Sequence, residues 1–148
     1  TKDAQATGAV FEANELLNRH DREQADRNTV EGPKIAITGD AEAKDCREIY
    51  RILDQTFAKY PDMVLCHKGH GYGVERIAAT WARNNKVRQI LFRPNWQGHG
   101  KAAPFKANDA IIAARPIGVL IFGGNGDAMS MGQKAEAKRI KIGHFEVA

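Results

Sequence analysis

The chain has 148 residues, 22 Lys and Arg against 18 Asp and Glu, a formal net charge of +4 and 43% hydrophobic residues. That suffices for one domain with a core, and no apolar run nears the roughly 20 residues that span a bilayer. The start, Thr1-Lys2-Asp3-Ala4-Gln5, has no apolar signal region, so an intracellular, cytoplasmic protein is expected.

Residues 1–32 read as an N-terminal helical arm. Val10, Phe11, Leu16 and Leu17 make one apolar patch, and Asn18 to Asn28 is charged throughout. Its acids and arginines pair at helical spacing but leave little to bury. The arm packs on the domain or on another subunit. Glu31-Gly32-Pro33 breaks it, and residues 33–148 form the domain.

Lys34-Ile35-Ala36-Ile37-Thr38 reads as a short buried strand with Gly39-Asp40 as its turn. A helix follows from about Lys44 to Lys59, with Cys46, Ile49, Tyr50, Leu53 and Phe57 on one face. Tyr60-Pro61 stops it. A second strand, Asp62 to about His67, runs into Gly69-His70-Gly71-Tyr72-Gly73, and a helix over Val74 to Asn84 carries Ile77, Ala78 and Trp81 inward. Val87 to Phe92 is the third strand. A loop with Pro94, Trp96, Gly98, Gly100 and Pro104 leads to a helix from Phe105 to Ala114. Ile117 to Phe122 is the fourth strand and feeds Gly123-Gly124-Asn125-Gly126. A helix from Ala128 to Arg139 and a strand from Ile140 to Val147 close the chain. Cys46 and Cys66, the only cysteines, fall inside elements and read as free thiols; no Cys-x-x-Cys is present.

Strands alternating with helices imply right-handed crossovers and a mostly parallel sheet of about five strands, covered by helices on both faces: a three-layer α/β sandwich. Two glycine-rich turns then fall at the carboxyl ends of strands, where open parallel sheets bind ligands. Gly69, Gly71 and Gly73 in one turn, and Gly123, Gly124, Asn125 and Gly126 in the other, let backbone N–H groups approach an anion. From Arg76 to Asn108 there is no Asp or Glu, but there are Arg76, Arg83, Lys86, Arg88, Arg93, Lys101 and Lys106. Such a block suits nucleotide phosphate or nucleic acid, or is a solvated basic face.

Four motifs carry a resemblance: Ile35-Ala36-Ile37-Thr38-Gly39; Gly69 to Ala78; Trp96-Gln97-Gly98-His99-Gly100-Lys101-Ala102-Ala103 with Asn108; and Gly123 to Gly126. In this order they resemble the SLOG superfamily, and within it the YspA-cpYpsA-related branch, over about Lys34 to the C terminus. The resemblance implies a Rossmann-like domain that binds a nucleotide or nucleotide-derived ligand. The superfamily includes the Lonely Guy phosphoribohydrolases and the DNA-processing protein DprA. The chain departs from the branch at His70 for glycine, Glu75 for aspartate, Ala107 for arginine, Phe122 for proline and Asp127 for threonine. An ionised Asp127 repels phosphate where a threonine hydroxyl donates to it, and it can cap the following helix instead.

Expected ligand or phosphate contacts are therefore Thr38, Gly39, Gly69, His70, Gly71, Gly73, Glu75, Arg76, Lys101, Asn108, Gly123, Gly124, Asn125, Gly126 and Asp127. Glu75 stands inside a helix start and is read as a ribose acceptor or general acid/base; it and Asp127 are the candidates for catalysis. Trp96 stacks on a base or covers the sheet edge, and Trp81 is core. His67, His70 and His99 lack metal-ligand spacing, so no metal and no cofactor is expected. Binding as a sensor or subunit is the leading reading. The alternatives are N-glycosidic hydrolysis of a nucleotide, DprA-like DNA binding, and a structural subunit with a decayed site. In the Lonely Guy motif a catalytic glutamate stands where Ser130 stands here, and serine cannot stabilise an oxocarbenium-like charge as a carboxylate does. The expected partners are a nucleotide-like small molecule and further protein subunits, at least a dimer, with nucleic acid less favoured and no membrane.

Overall fold

The structure is a computed structural model that describes residues 18–124 and 126–147. The chain divides into two compact units, Thr1–Val30 and Glu31–Ala148. In the first, residues 18–29 form helix α1. The apolar patch expected at Val10, Phe11, Leu16 and Leu17 lies outside the described residues.

The second unit is built on five parallel strands: β1 (Lys34–Gly39), β2 (Val64–His67), β3 (Arg88–Leu91), β4 (Gly118–Phe122) and β5 (Lys141–Phe145). Their spatial order is β3-β2-β1-β4-β5. Strand order reverses between β1 and β4, where Ile35 to Gly39 pair with Gly118 to Phe122 in register. That is the switch point outside which doubly wound sheets open a crevice. β2 is buried along its whole length and β1 at its four central residues. Short continuous apolar runs with both faces covered produce such strands.

Helix α2 (Arg47–Lys59) and helix α3 (Val74–Asn84) pack together, and α5 (Ala103–Ala113) packs on α6 (Asp127–Ala137). On the α2–α3 side, Ile35, Ile37 and Leu65 of the sheet meet Ile49, Leu53, Ala78 and Trp81. Trp81 is core as expected. Its ring meets Phe57 edge-on at 5.7 Å, and its indole N–H donates to Asp54 Oδ1 at 2.8 Å. A buried indole needs such a partner.

Three expectations are corrected. Helix α2 starts at Arg47 rather than Lys44, because Asp45 Oδ1 accepts the Arg47 N–H at 3.0 Å and its carboxylate grips the Arg47 side chain. Such an Asx turn competes with helix. Its inward face includes Ile52, while Tyr50 and Phe57 are half-buried. The loop after β3 is not irregular: Trp96–His99 forms a one-turn helix, α4, and Gly100–Ala102 a 3-10 turn that runs into α5. Asn95 accepts the Gly98 N–H at 3.0 Å and starts that turn, and Pro104 fits the first turn of α5. Among the described residues no helix is long and apolar enough to cross a membrane. Cys46 and Cys66 are free thiols, Cys66 fully buried and pushed up to about 12 by that burial.

Candidate functional site

β2 delivers the centre of the site. The strand ends in His67, and the next residue, Lys68, is only 3% exposed. An ammonium is rarely buried unless oxygens surround it. Here four elements supply them. Lys68 Nζ donates to Thr38 Oγ1 at the end of β1 (3.0 Å) and to Asn108 Oδ1 on α5 (2.9 Å). Two carboxylates neutralise it: Glu75 Oε2 in the first turn of α3 at 3.5 Å, and Asp127 Oδ2 in the first turn of α6 at 3.4 Å.

Each partner is itself held. Glu75 Oε1 accepts the Lys68 backbone N–H at 2.5 Å, and Oε2 lies 3.5 Å from the Thr38 hydroxyl. Thr38 thus accepts from the ammonium and donates to the carboxylate. Asn108 Nδ2 donates to the Asp127 carbonyl at 2.7 Å, which fixes its amide orientation and ties α5 to the start of α6. No buried side-chain polar atom among the described residues lacks a partner.

His67 supports the cluster from the strand side. Its Nδ1 accepts the Gly69 N–H at 3.0 Å, so Nε2 carries the proton and donates to Gln89 Oε1 at 2.7 Å. Burial holds the imidazole below its ordinary pKa, against the opposing pull of Gln89 and Glu75. The unfolded chain therefore binds a proton near pH about 6.5 that the folded chain refuses. Stability falls as pH drops below about 6.5, by up to roughly 1.4 kcal/mol per pH unit while only the unfolded form is protonated. Urea unfolding at stepped pH should show this slope in the wild type. It should be reduced in His67→Gln, which keeps an acceptor and a donor but does not titrate; an equal slope in both would contradict the assignment.

Above the cluster a cleft of about 630 Å³ opens at the carboxyl edge of β1, β2 and β3. Lys68, Glu75 and Asp127 form part of its wall, with Gly39, Gly69, His70 and Gly71 beside them. Tyr72, Pro94, Trp96 and Pro104 give it apolar walls. Tyr72 is 64% and Trp96 59% exposed. The His70 ring stands edge-on to Tyr72 at 4.5 Å, and its Nδ1 lies 3.1 Å from the Tyr72 carbonyl oxygen. Arg93 also lines the cleft, its guanidinium close over Gly69.

The remaining expected contacts fall elsewhere. Thr38 and Asn108 are buried beneath the cleft, and they hold Lys68. Gly73, at φ 78°, lets its turn lie against Asp40 and Ala41; Gly124, at φ 81°, does the same against Gly39 and Asp40. These two glycines join the loops rather than line the cleft. The Gly123 N–H is taken by the Phe145 carbonyl at 2.8 Å, so it is not available to cradle phosphate. Gly126 is the N-cap of α6, and Asn125 lies outside the described residues. Asp127 does not cap α6 through its side chain; it sits inside the first turn and reaches Lys68. Arg76 and Lys101 are exposed and are not among the residues lining the cleft. Of the basic block, Arg93 alone lines it. A second cavity, of about 670 Å³, lies between α5 and α6, lined by Asp109, Ile112, Arg115, Lys134, Lys138 and Ile140 among others. Among the described residues no three of His, Cys, Asp or Glu converge as metal ligands would.

Lys68 escapes the sequence reading. The signal available was its place: the first residue after an apolar strand, at the edge where Thr38 stands at the end of β1 and Glu75 in the first turn of α3.

A parallel sheet ordered β3-β2-β1-β4-β5 under a cleft at its carboxyl edge defines a Rossmann-like α/β domain. Residues 33–99 match the model of the YspA, cpYpsA-related SLOG family. The match spans β1 to α4, whereas the resemblance was expected to run to the C terminus. Lys101, Asn108 and the second glycine turn lie beyond it. No curated protein and no solved structure matches the chain.

Proposed function

We propose that the protein binds a nucleotide or nucleotide-derived small molecule in the cleft above Lys68, as a cytoplasmic sensor or as a subunit of a larger assembly. The observation that carries this reading is the cleft itself. It joins exposed aromatic rings to a floor of fully satisfied polar groups. Large apolar side chains left in solvent at the mouth of a cavity mark contact surfaces. Tyr72 and Trp96 suit the face of a nucleobase, since stacking contributes about 1–3 kcal/mol per base. Lys68, Glu75 and Asp127 supply a fixed polar pattern for the rest of the ligand. The match to the SLOG family model over residues 33–99 points to the same nucleotide-related role.

The hydrolytic reading has less support. Ser130, where Lonely Guy proteins resembling this chain carry their catalytic glutamate, is not among the residues lining the cleft, and Glu75 is engaged with Lys68. DNA binding is also less supported, because the basic side chains lie exposed on α3, β3, the α4–α5 segment and the connections between them rather than gathered at the cleft.

Native mass spectrometry of the freshly purified protein tests the proposal and reads subunit number as well. The expected result is an adduct released on denaturation and identified as a nucleotide or its derivative, or, for an empty protein, a thermal shift with one member of a nucleoside and nucleotide panel. No adduct together with no shift across the panel would overturn it.

A further inference from the structure

Asp127 stands where the strand–glycine–helix junction of β4 and α6 would otherwise attract an anion. A helix start favours negative charge, and the Lys68 ammonium lies 3.4 Å away. The chain fills that place with its own carboxylate. Asp127 is about a third exposed, and it lines the cleft with one oxygen turned to Lys68. Lys68 meanwhile already donates to Thr38 and Asn108 and is paired with Glu75. An incoming phosphate at this end would meet a carboxylate first and an ammonium that is already neutralised. A hydroxyl or amine would meet an acceptor with spare lone pairs, since a carboxylate can accept about four hydrogen bonds.

Resting on the proposed function, we propose that this cleft selects the nucleoside part of its ligand. A ribose hydroxyl or an exocyclic amine donates to Asp127, the base stacks at Tyr72 and Trp96, and 5′-phosphates weaken binding. Asp127 is then the specificity-determining residue. It acts by direct contact with a donor and by repulsion of an anion, an example of discrimination built from an unfavourable contact as well as a favourable one.

Calorimetric titration of the full chain with the four ribonucleosides and their 5′-diphosphates tests this. The wild type should bind its preferred nucleoside more tightly than the matching diphosphate, by about tenfold or more. Asp127→Asn should narrow or reverse that ratio, because the amide still contacts the ligand but carries no charge. Asp127→Thr should shift it the same way and guards against a single misfolded variant. A wild type that binds the diphosphate as tightly as the nucleoside, or a ratio unmoved in both variants, overturns the selectivity and leaves the cleft as a nucleotide site. Binding of none of the eight compounds by the wild type or either variant overturns the selectivity together with the reading it rests on.

Discussion

Lys68→Met is expected to lower stability by about 3–5 kcal/mol, the range seen when one member of a buried ion pair is removed. The reason is what remains. Glu75 is 5% exposed, and without the ammonium it keeps the Lys68 backbone N–H and the Thr38 hydroxyl but no lysine against its charge. Asn108 loses the donor to its side-chain oxygen as well. A fall of about 10 °C or more in melting temperature follows for a unit of this size. Glu75→Gln in the Lys68→Met background should recover much of the loss, since it removes the fully buried carboxylate and leaves only Asp127, about a third exposed to water, without its cation. Calorimetric melting of the two single variants and the double variant reads the coupling. A single Lys68→Met variant within about 1 kcal/mol of wild type would show that the cluster contributes little to folding.

Gly73→Ala is expected to cost about 3 kcal/mol or more, through strain and overlap together. The residue sits at φ 78°, and an added Cβ would lie 2.5 Å from the Ala41 Cα, the Ala41 carbonyl oxygen and the Asp40 carbonyl oxygen. Those neighbours are backbone and cannot rotate away. The Asp40 carbonyl accepts the Val74 N–H at 3.1 Å, so parting the loops also loosens the first turn of α3 and with it Glu75. Gly71→Ala is the matched control. Its Cβ would meet nothing within 4 Å, and its φ is not positive. It should stay within about 0.5 kcal/mol of wild type in urea unfolding. Equal effects at the two positions would contradict the loop packing.

These two residues show what a sequence reveals here and what it hides. Val74–Asn84 was legible to the residue, because Gly73 ends one regime and the inward spacing of Ala78 and Trp81 begins another. The strands were legible as apolar runs ending in glycine, and the parallel sheet followed from their alternation with helices. Lys68 was not legible, because a lysine beside a glycine turn ordinarily faces water. Only the fold brings Thr38, Glu75, Asn108 and Asp127 around it, residues from four elements far apart in the chain. Arg76 was expected at the ligand beside Glu75. Helix geometry turns successive residues by about 100°, so burying one exposes the other. From the sequence alone Asp127 is a helix cap or a repellent to phosphate. The structure gives its charge a partner that no local pattern contains.

The central claim is that ligand enters over Lys68, beside the Gly69–Gly71 turn and against the Tyr72 and Trp96 rings. The most direct test is an amide and indole proton–nitrogen NMR map of the full chain, titrated with the nucleoside or nucleotide that gives the largest thermal shift. The predicted result is movement of the Gly39, Gly69 to Val74 and Asp127 amides and of the Trp96 indole, with the buried Trp81 indole and the Lys134 to Lys138 amides of the second cavity unmoved. Shifts confined to Asp109, Arg115 and Lys134 to Lys138, with the glycine loops and Trp96 silent, would place the ligand in the other cavity and contradict the account.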